Sequence, residues 1–325
     1  DQPLGRDVAG TVETVSAMTR DMVREYIGRQ YVANNAVVSI AGDVTHEEVL
    51  DLVGREMGDW PRGIPSGWYP AADGQQEPRA AVGFKKTEQA HICLAIPGVS
   101  IEHPDRPALD LLSVLLGEGM SSRLFLELRE RLGLCYDIHS YTSHYLDTGA
   151  LTVYAAVDPK NAVKALQALM AELRRLREGI PDDELARAKE LSKGRLLLRM
   201  EDTRSVSGWN GAQELLTAKV RTVDEVLERV DALTEASLRR VADRLLVREA
   251  LNLAVVGPFR SEGRFLLLLA TLLRQQQERG THFILKFRAL LRREARLPSR
   301  LLGRDRRRVL LELRLNGFGL LAIRF

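Results

Sequence analysis

The stretch from Val15 to Gly42 returns without a gap as Val230 to Gly257, at an offset of 215 residues. Ala17 matches Ala232, Thr19 matches Thr234, Arg24 matches Arg239, Arg29 matches Arg244 and Val32 matches Val247. Each copy reads as a threonine-capped helix followed by a short apolar run that stops at glycine. In the first copy that run is Ala36–Ala41, AVVSIA, and its β-branched content predicts a buried strand ended by Gly42-Asp43. One helix and one strand cannot cover their own apolar faces, so each copy is expected to close a larger body. The chain is therefore predicted to hold the ends of two domains of one kind, with the beginning of the second alone present.

A length of 325 residues with 45% hydrophobic content suits roughly two packed domains and fits no disordered class. We expect residues 1–60 to be the C-terminal part of the first domain and residues 61–79, rich in Pro, Gly, Ser and Gln, to be a linker. The second domain is expected over 80–260. The segment around Pro3-Leu4-Gly5-Arg6 and Gly10-Thr11 reads as irregular, with a helix from Thr19. Thr45 with Glu48 forms a capping box that starts a helix ending near Gly58, and Thr222 with Glu225 forms another. Within the second domain the pattern predicts a strand at Gln89–Ile96, a helix after Asp105, a strand at Leu151–Val157, a helix started by Asp158-Pro159, and a long helix from Pro181. Strands mixed with helices and hairpins, without strict alternation, argue for an α+β class. The expected architecture is two homologous sandwich domains, the first truncated, each a mixed and largely antiparallel sheet with helices on one face.

The centre of the second domain, Leu111–Leu151, is its most informative run. Leu111, Leu112, Leu115 and Leu116 give a core-facing helical stripe ended by Gly117-Glu118-Gly119. Ser121 or Ser122 offers an N-cap for a helix over Arg123–Leu132, in which Leu124, Leu128 and Leu132 recur at helical spacing. Gly133 is the expected left-handed stop, and Asp147-Thr148-Gly149 supplies the turn between two antiparallel strands.

From Gly117 to Tyr136 the run reads G-x-G-x-S-S-R-L-F-x-E-L-R-E-x-x-G-L-C-Y and continues to D-x-G before a strand. It resembles the insulinase, pitrilysin and mitochondrial-processing-peptidase family of inverted-motif zinc proteases, and the resemblance extends at lower density over about residues 1–260. It implies a zinc metalloendopeptidase acting on peptides, in which a helical H-x-x-E-H motif and a distant glutamate hold the metal in the first domain. None of His46, His91, His103, His139, His144 and His282 stands in that motif. By the resemblance, the zinc region lies upstream of a segment like Pro3–Gly10. This chain would then bind no metal itself and would need a zinc-bearing N-terminal half or partner subunit, as a homo- or heterodimer.

What the resemblance does carry over is Arg129 and Tyr136, matching the family's arginine and tyrosine seven positions apart. It implies that they reach from the second domain to the substrate, where a guanidinium and a phenol stabilise the oxyanion of the scissile carbonyl. The structural alternative is a cation complementing a helix end and a tyrosine packed on a strand. A second functional class stays open: a non-catalytic homologue serving as scaffold or partner subunit.

Other features exclude more than they assign. His46-Glu47-Glu48 is read as the first turn of a capped helix, not a metal site. His139 and His144 are an odd number of residues apart on one strand, so they face opposite ways and are not expected to share an ion. Gly117–Ser122 lacks the Lys-Ser/Thr ending of a phosphate loop. Cys93 and Cys135 are the only cysteines and are read as buried thiols. Net charge is +3, with arginine crowded beyond Ser261, so the whole chain carries no nucleic-acid signal, and no apolar run reaches the length of a membrane span. The tail 261–325 lies outside the resemblance; its Arg/Leu composition fits basic amphipathic helices or a reading frame running past a true end. A bacterial cytoplasmic or periplasmic setting suits the rest.

Overall fold

The computed structural model of the protein describes residues 2–261, 263 and 265, except 73, 248 and 249. The Arg/Leu-rich tail expected over 261–325 thus lies almost wholly outside the described residues.

The chain starts with a short helix α1 (Val12–Ser16), closed by a capping box on Thr11 in a stretch expected to be irregular. Helix α2 (Arg20–Gln30) follows its Thr19 cap, and α3 (His46–Met57) carries the anticipated Thr45–Glu48 box and stops at Gly58. Strands β1 (Arg79–Phe84) and β2 (Ala90–Pro97) come next, the first of them not anticipated from the sequence. Helix α4 (Arg106–Gly117) leads to a π-helix at Phe125–Arg131, then to the hairpin of β3 (Cys135–His144) and β4 (Gly149–Val157). Five helices follow: α5 (Ala162–Glu178), α6 (Asp182–Arg199), α7 (Thr203–Thr217), α8 (Val223–Asp231) and α9 (Glu235–Leu245). Strand β5 (Asn252–Gly257) is the last strand among the described residues, and Phe265 beyond it still packs into the core.

The five strands form one mixed sheet in the order β1-β5-β2-β4-β3. Only β1 with β5 is parallel; the other pairings are antiparallel, in line with the expected class. Alternate residues of β2, Ala90, Ile92, Leu94 and Ile96, are buried in one core with Leu109, Leu112 and Leu116 of α4, Leu166 and Leu169 of α5, and Leu238 and Val241 of α9. The intervening residues, such as His91 and Cys93, stay partly exposed. Among the described residues, helices thus cover one face and leave the other helix-free, the signature of a half-buried antiparallel sheet.

Two ties hold this layer together. The Asp105 carboxylate, almost buried, accepts two hydrogen bonds from the Arg240 guanidinium at 2.5 and 3.0 Å, and Arg244 stands 3.0 Å away, which locks α4 to α9. These cations hold the Asp105 carboxyl below the usual carboxylate range, the Arg240 hydrogen bonds contributing most. The second tie is a close approach: Gly117 lies so near β3 that a Cβ there would sit 2.5 Å from the Ser140 nitrogen.

One expectation fails. Ala36–Ala41 is not a buried strand; it runs without a partner strand among the described residues. Its repeat counterpart β5 is flanked by β1 and β2, and the first copy has no such flanks. Backbone hydrogen bonding defines a strand, so apolar character alone cannot make one. The side chains tell the same story. Leu238, Val241 and Ala242 of α9 are all 0% exposed, whereas the matching Val23, Tyr26 and Ile27 of α2 are 47, 55 and 46% exposed. The run touches α7 instead: Ser39 Oγ donates to the Ser207 carbonyl at 2.8 Å, and Ser207 Oγ donates to the Ser39 carbonyl at 2.7 Å.

Candidate functional site

Arg129 sits in the helix expected over Arg123–Leu132, but that helix is wound as a π-helix from Phe125. The Leu132 N–H donates to the Glu127 carbonyl at 3.0 Å, five residues back, and the Leu134 N–H donates to the Leu128 carbonyl at 2.8 Å. The extra residue per turn costs hydrogen-bond quality and recurs at functional sites. Neither Ser121 nor Ser122 caps it by side chain; the Ser122 hydroxyl donates to the Gly119 carbonyl at 2.7 Å, so the glycine turn is a helix-to-helix connection. Gly133 takes the left-handed φ of 58° expected of the stop. Leu124 and Leu128 are fully buried and anchor the segment, which leaves the Arg129 side chain exposed with its guanidinium 5.0 Å from the centre of the Phe125 ring.

Tyr136 sits on a second irregularity. The register of β3 on β4 jumps between Cys135, opposite Val157, and Asp137, opposite Ala156. One residue is extra, so Tyr136 and Asp137 both turn away from the core between buried Cys135 and buried Ile138. Tyr136 is 66% exposed, so it does not pack in the interior. Burial pushes the Cys135 thiol up to about 11; the Arg129 cation opposes this and Asp137 adds to it. Cys135 therefore stays a protonated thiol at neutral pH.

Metal ligation finds no footing in these residues. Among the described residues no three His, Cys, Asp or Glu side chains gather where an ion could sit. His144 is part-buried with Nδ1 2.7 Å from the Val99 carbonyl and Nε2 2.8 Å from an Asp110 oxygen, so both ring nitrogens are engaged. His139 lies on the opposite, helix-free side, 3.4 Å from Asp137. His46-Glu47-Glu48 forms the first turn of α3, where the Thr45 hydroxyl holds the Glu48 carboxyl below its usual range. The described residues do not fit a zinc ion. No helix among the described residues is long and apolar enough to cross a membrane.

Sequence reasoning missed one group on the same face. His91, Tyr154, His139 and Tyr141 bring their rings together across β2, β4 and β3, with centroids 5.1 to 6.1 Å apart. The alternation of Asp137, His139 and Tyr141 was the available signal.

Comparison with known proteins fits this geometry. The model of the peptidase M16 inactive domain matches residues 17–192. An uncharacterized zinc protease of Streptomyces coelicolor is 37% identical over 271 residues, covering 81% of this chain and 58% of that protein. The chain belongs to the peptidase M16 family. A second relative, the uncharacterized zinc protease YmxG of Bacillus subtilis, is 34% identical over 263 residues, 78% of this chain and 62% of YmxG. The chain thus spans about three fifths of the length of these M16 relatives. Two solved structures share the fold. A protease from Helicobacter pylori has a TM-score of 0.71 at 24% identity, over 77% of this chain and 61% of its own. A peptidase M16 inactive domain from Pseudomonas fluorescens has a TM-score of 0.68 at 17% identity, over 78% of this chain and 61% of its own.

Proposed function

We propose that this chain is the substrate-binding part of a zinc metalloendopeptidase, with Arg129 and Tyr136 acting on the carbonyl of the peptide bond to be cut. The observation that carries the reading is the pairing of two backbone irregularities with these two residues: a π-helix under Arg129 and a bulge that turns Tyr136 outward. Such irregularities weaken regular hydrogen bonding and are retained where they aim a side chain. As the carbonyl carbon is attacked, negative charge grows on its oxygen, and a guanidinium and a neutral phenol each donate a hydrogen bond to it. Zinc and its ligands belong to a partner half, and the same partner covers the first copy of the repeat. Support for this comes from Val23, Tyr26, Ile27, Val38 and Ile40, all exposed, whose repeat counterparts are all buried. In this reading residues 1–60 finish the zinc-bearing domain, residues 61–79 link, and residues 80–260 hold the peptide.

The test supplies a zinc-bearing N-terminal half of an M16 relative to this chain and measures cleavage of a fluorogenic peptide. Restored turnover is expected, and Tyr136→Phe should lower it by about 10²–10³ with zinc content unchanged. Complex formation without any turnover would instead assign the chain to the scaffold class.

A further inference from the structure

The helix-free face beside Tyr136 carries a feature that peptide-bond chemistry does not use. His91 Nδ1 lies 2.7 Å from the Tyr154 hydroxyl, and their rings stack at 6.0 Å with 28° between planes. His139 packs on the other side of Tyr154 at 5.1 Å and on Tyr141 at 6.1 Å. The four rings make a ridge across β2, β4 and β3. In the row through Cys93, opposite Tyr154, the neighbouring strands contribute only the methyls of Ala254 and Ala81, both exposed. The ridge therefore gives way along this row to small, exposed side chains.

Beside the ring ridge the charge has one sign; exposed Arg79 of β1 faces the same side but stands on the far edge strand of the sheet. Among the described residues, the outward positions of β2, β3 and β4 from Tyr136 to Tyr141 and across to His91 hold no lysine or arginine, and Asp137 is the one formal charge. Its side chain is 56% exposed, 3.4 Å from the His139 ring, and close enough to raise the pKa of Tyr154, although burial raises it more. Aromatic faces are electron-rich, and a carboxylate beside them completes the usual surroundings of an organic cation.

We infer that the ring ridge and Asp137 form a recognition site for a basic side chain, lysine or arginine, of an extended peptide lying beside the ridge. The bulge makes the site continuous with the carbonyl-directed pair, because Tyr136 and Asp137 are successive residues turned to the same side. The inference deepens the peptide-binding reading above and rests on it for the identity of the ligand as a peptide. The cation lies over the Tyr154 and His139 faces with Asp137 as its counterion, while Arg129, itself cationic, is left to the carbonyl oxygen.

The test needs neither zinc nor a partner half. The chain, carrying ¹³C-labelled histidine and tyrosine rings, is titrated with blocked tripeptides Ala-Arg-Ala, Ala-citrulline-Ala, Ala-Phe-Ala and Ala-Glu-Ala. Saturable shifts of the His139, Tyr141 and Tyr154 rings are expected with the arginine peptide, at least roughly tenfold tighter than with its neutral citrulline isostere. Asp137→Asn should remove most of that preference, and Tyr154→Leu should weaken the arginine peptide while Tyr154→Phe, which keeps the ring, should not. Equal binding of arginine and citrulline peptides, preference for phenylalanine, shifts confined to other rings, or no saturation at millimolar peptide would each overturn the site. The carbonyl reading fails on a different readout, namely cleavage unaffected by Tyr136→Phe, so the two can fall separately.

Discussion

Gly117→Ala tests whether α4 is seated on β3 by backbone contact. The added Cβ would lie 2.5 Å from the Ser140 nitrogen, 2.6 Å from the Ser140 hydroxyl oxygen and 3.0 Å from the His139 carbonyl carbon. Two of these atoms are backbone of a paired strand, so the methyl cannot be accommodated by a rotamer change. Overpacking of this kind costs about 1–3 kcal/mol. The displaced Ser140 hydroxyl also gives up its hydrogen bond to the Ser113 carbonyl, 2.8 Å long and buried, at about 1 kcal/mol more. We expect a loss of roughly 2–4 kcal/mol and a thermal midpoint lower by about 5–15 °C, read by circular dichroism and checked by urea titration. Gly28→Ala is the control, since its Cβ would meet nothing within 4 Å on α2; helix propensity predicts up to about 1 kcal/mol of stabilisation. If Gly117→Ala unfolds within about 0.5 kcal/mol of the parent, the close packing of α4 on the hairpin is wrong, and with it the support beneath the ring ridge.

Further outcomes follow from the same structure. At pH 8, Cys135, its thiol raised to about 11, should react with iodoacetamide on the order of 10²-fold more slowly than an ordinary exposed cysteine and become reactive on unfolding; rapid labelling in the native chain would contradict its burial. Asp105→Asn should destabilise by about 1–2 kcal/mol at neutral pH, discounted because Arg240 and Arg244 are half solvent-exposed. Because the folded carboxyl is depressed, its contribution is complete above the unfolded value near about 3.9 and is lost as pH falls. The gap between parent and variant in pH-dependent melting should therefore close in acid, and a constant gap would deny the charge pairing. Ile27→Lys should change the stability of this chain by less than about 0.5 kcal/mol, yet abolish turnover restored by a zinc-bearing half; retained turnover would show that α2 is not where the partner docks.

Much of this molecule was legible in residue order. Capping boxes at Thr45 and Thr222 and the stop at Gly133 rest on local chemistry, and the structure reproduces them. The π winding of Phe125–Arg131 was not legible, because leucines at 124, 128 and 132 suit an α-helix equally well. Strand β1 escaped because Arg79, Ala81 and Gly83 face out against only Ala80 and Val82 facing in, a weak alternation, and its pairing with β5 joins segments far apart in sequence. AVVSIA failed in the other direction: its composition specifies a strand, but pairing needs neighbours that composition cannot supply. At the candidate site, Arg129 and Tyr136 came from a motif, whereas the bulge that exposes Tyr136 and the ring ridge depend on cross-strand register.

The placement of β5 has a consequence for biosynthesis. Among the described strands it is the last made, yet it lies between β1 and β2, which are made first. A ribosome working at about 5–20 residues per second takes roughly 8–30 s to travel from Pro97 to Asn252, and throughout that time the sheet lacks its keystone. A nascent chain of this kind has to be sheltered from strand-to-strand aggregation until the closing repeat emerges, and a break anywhere ahead of Asn252 would leave it permanently open.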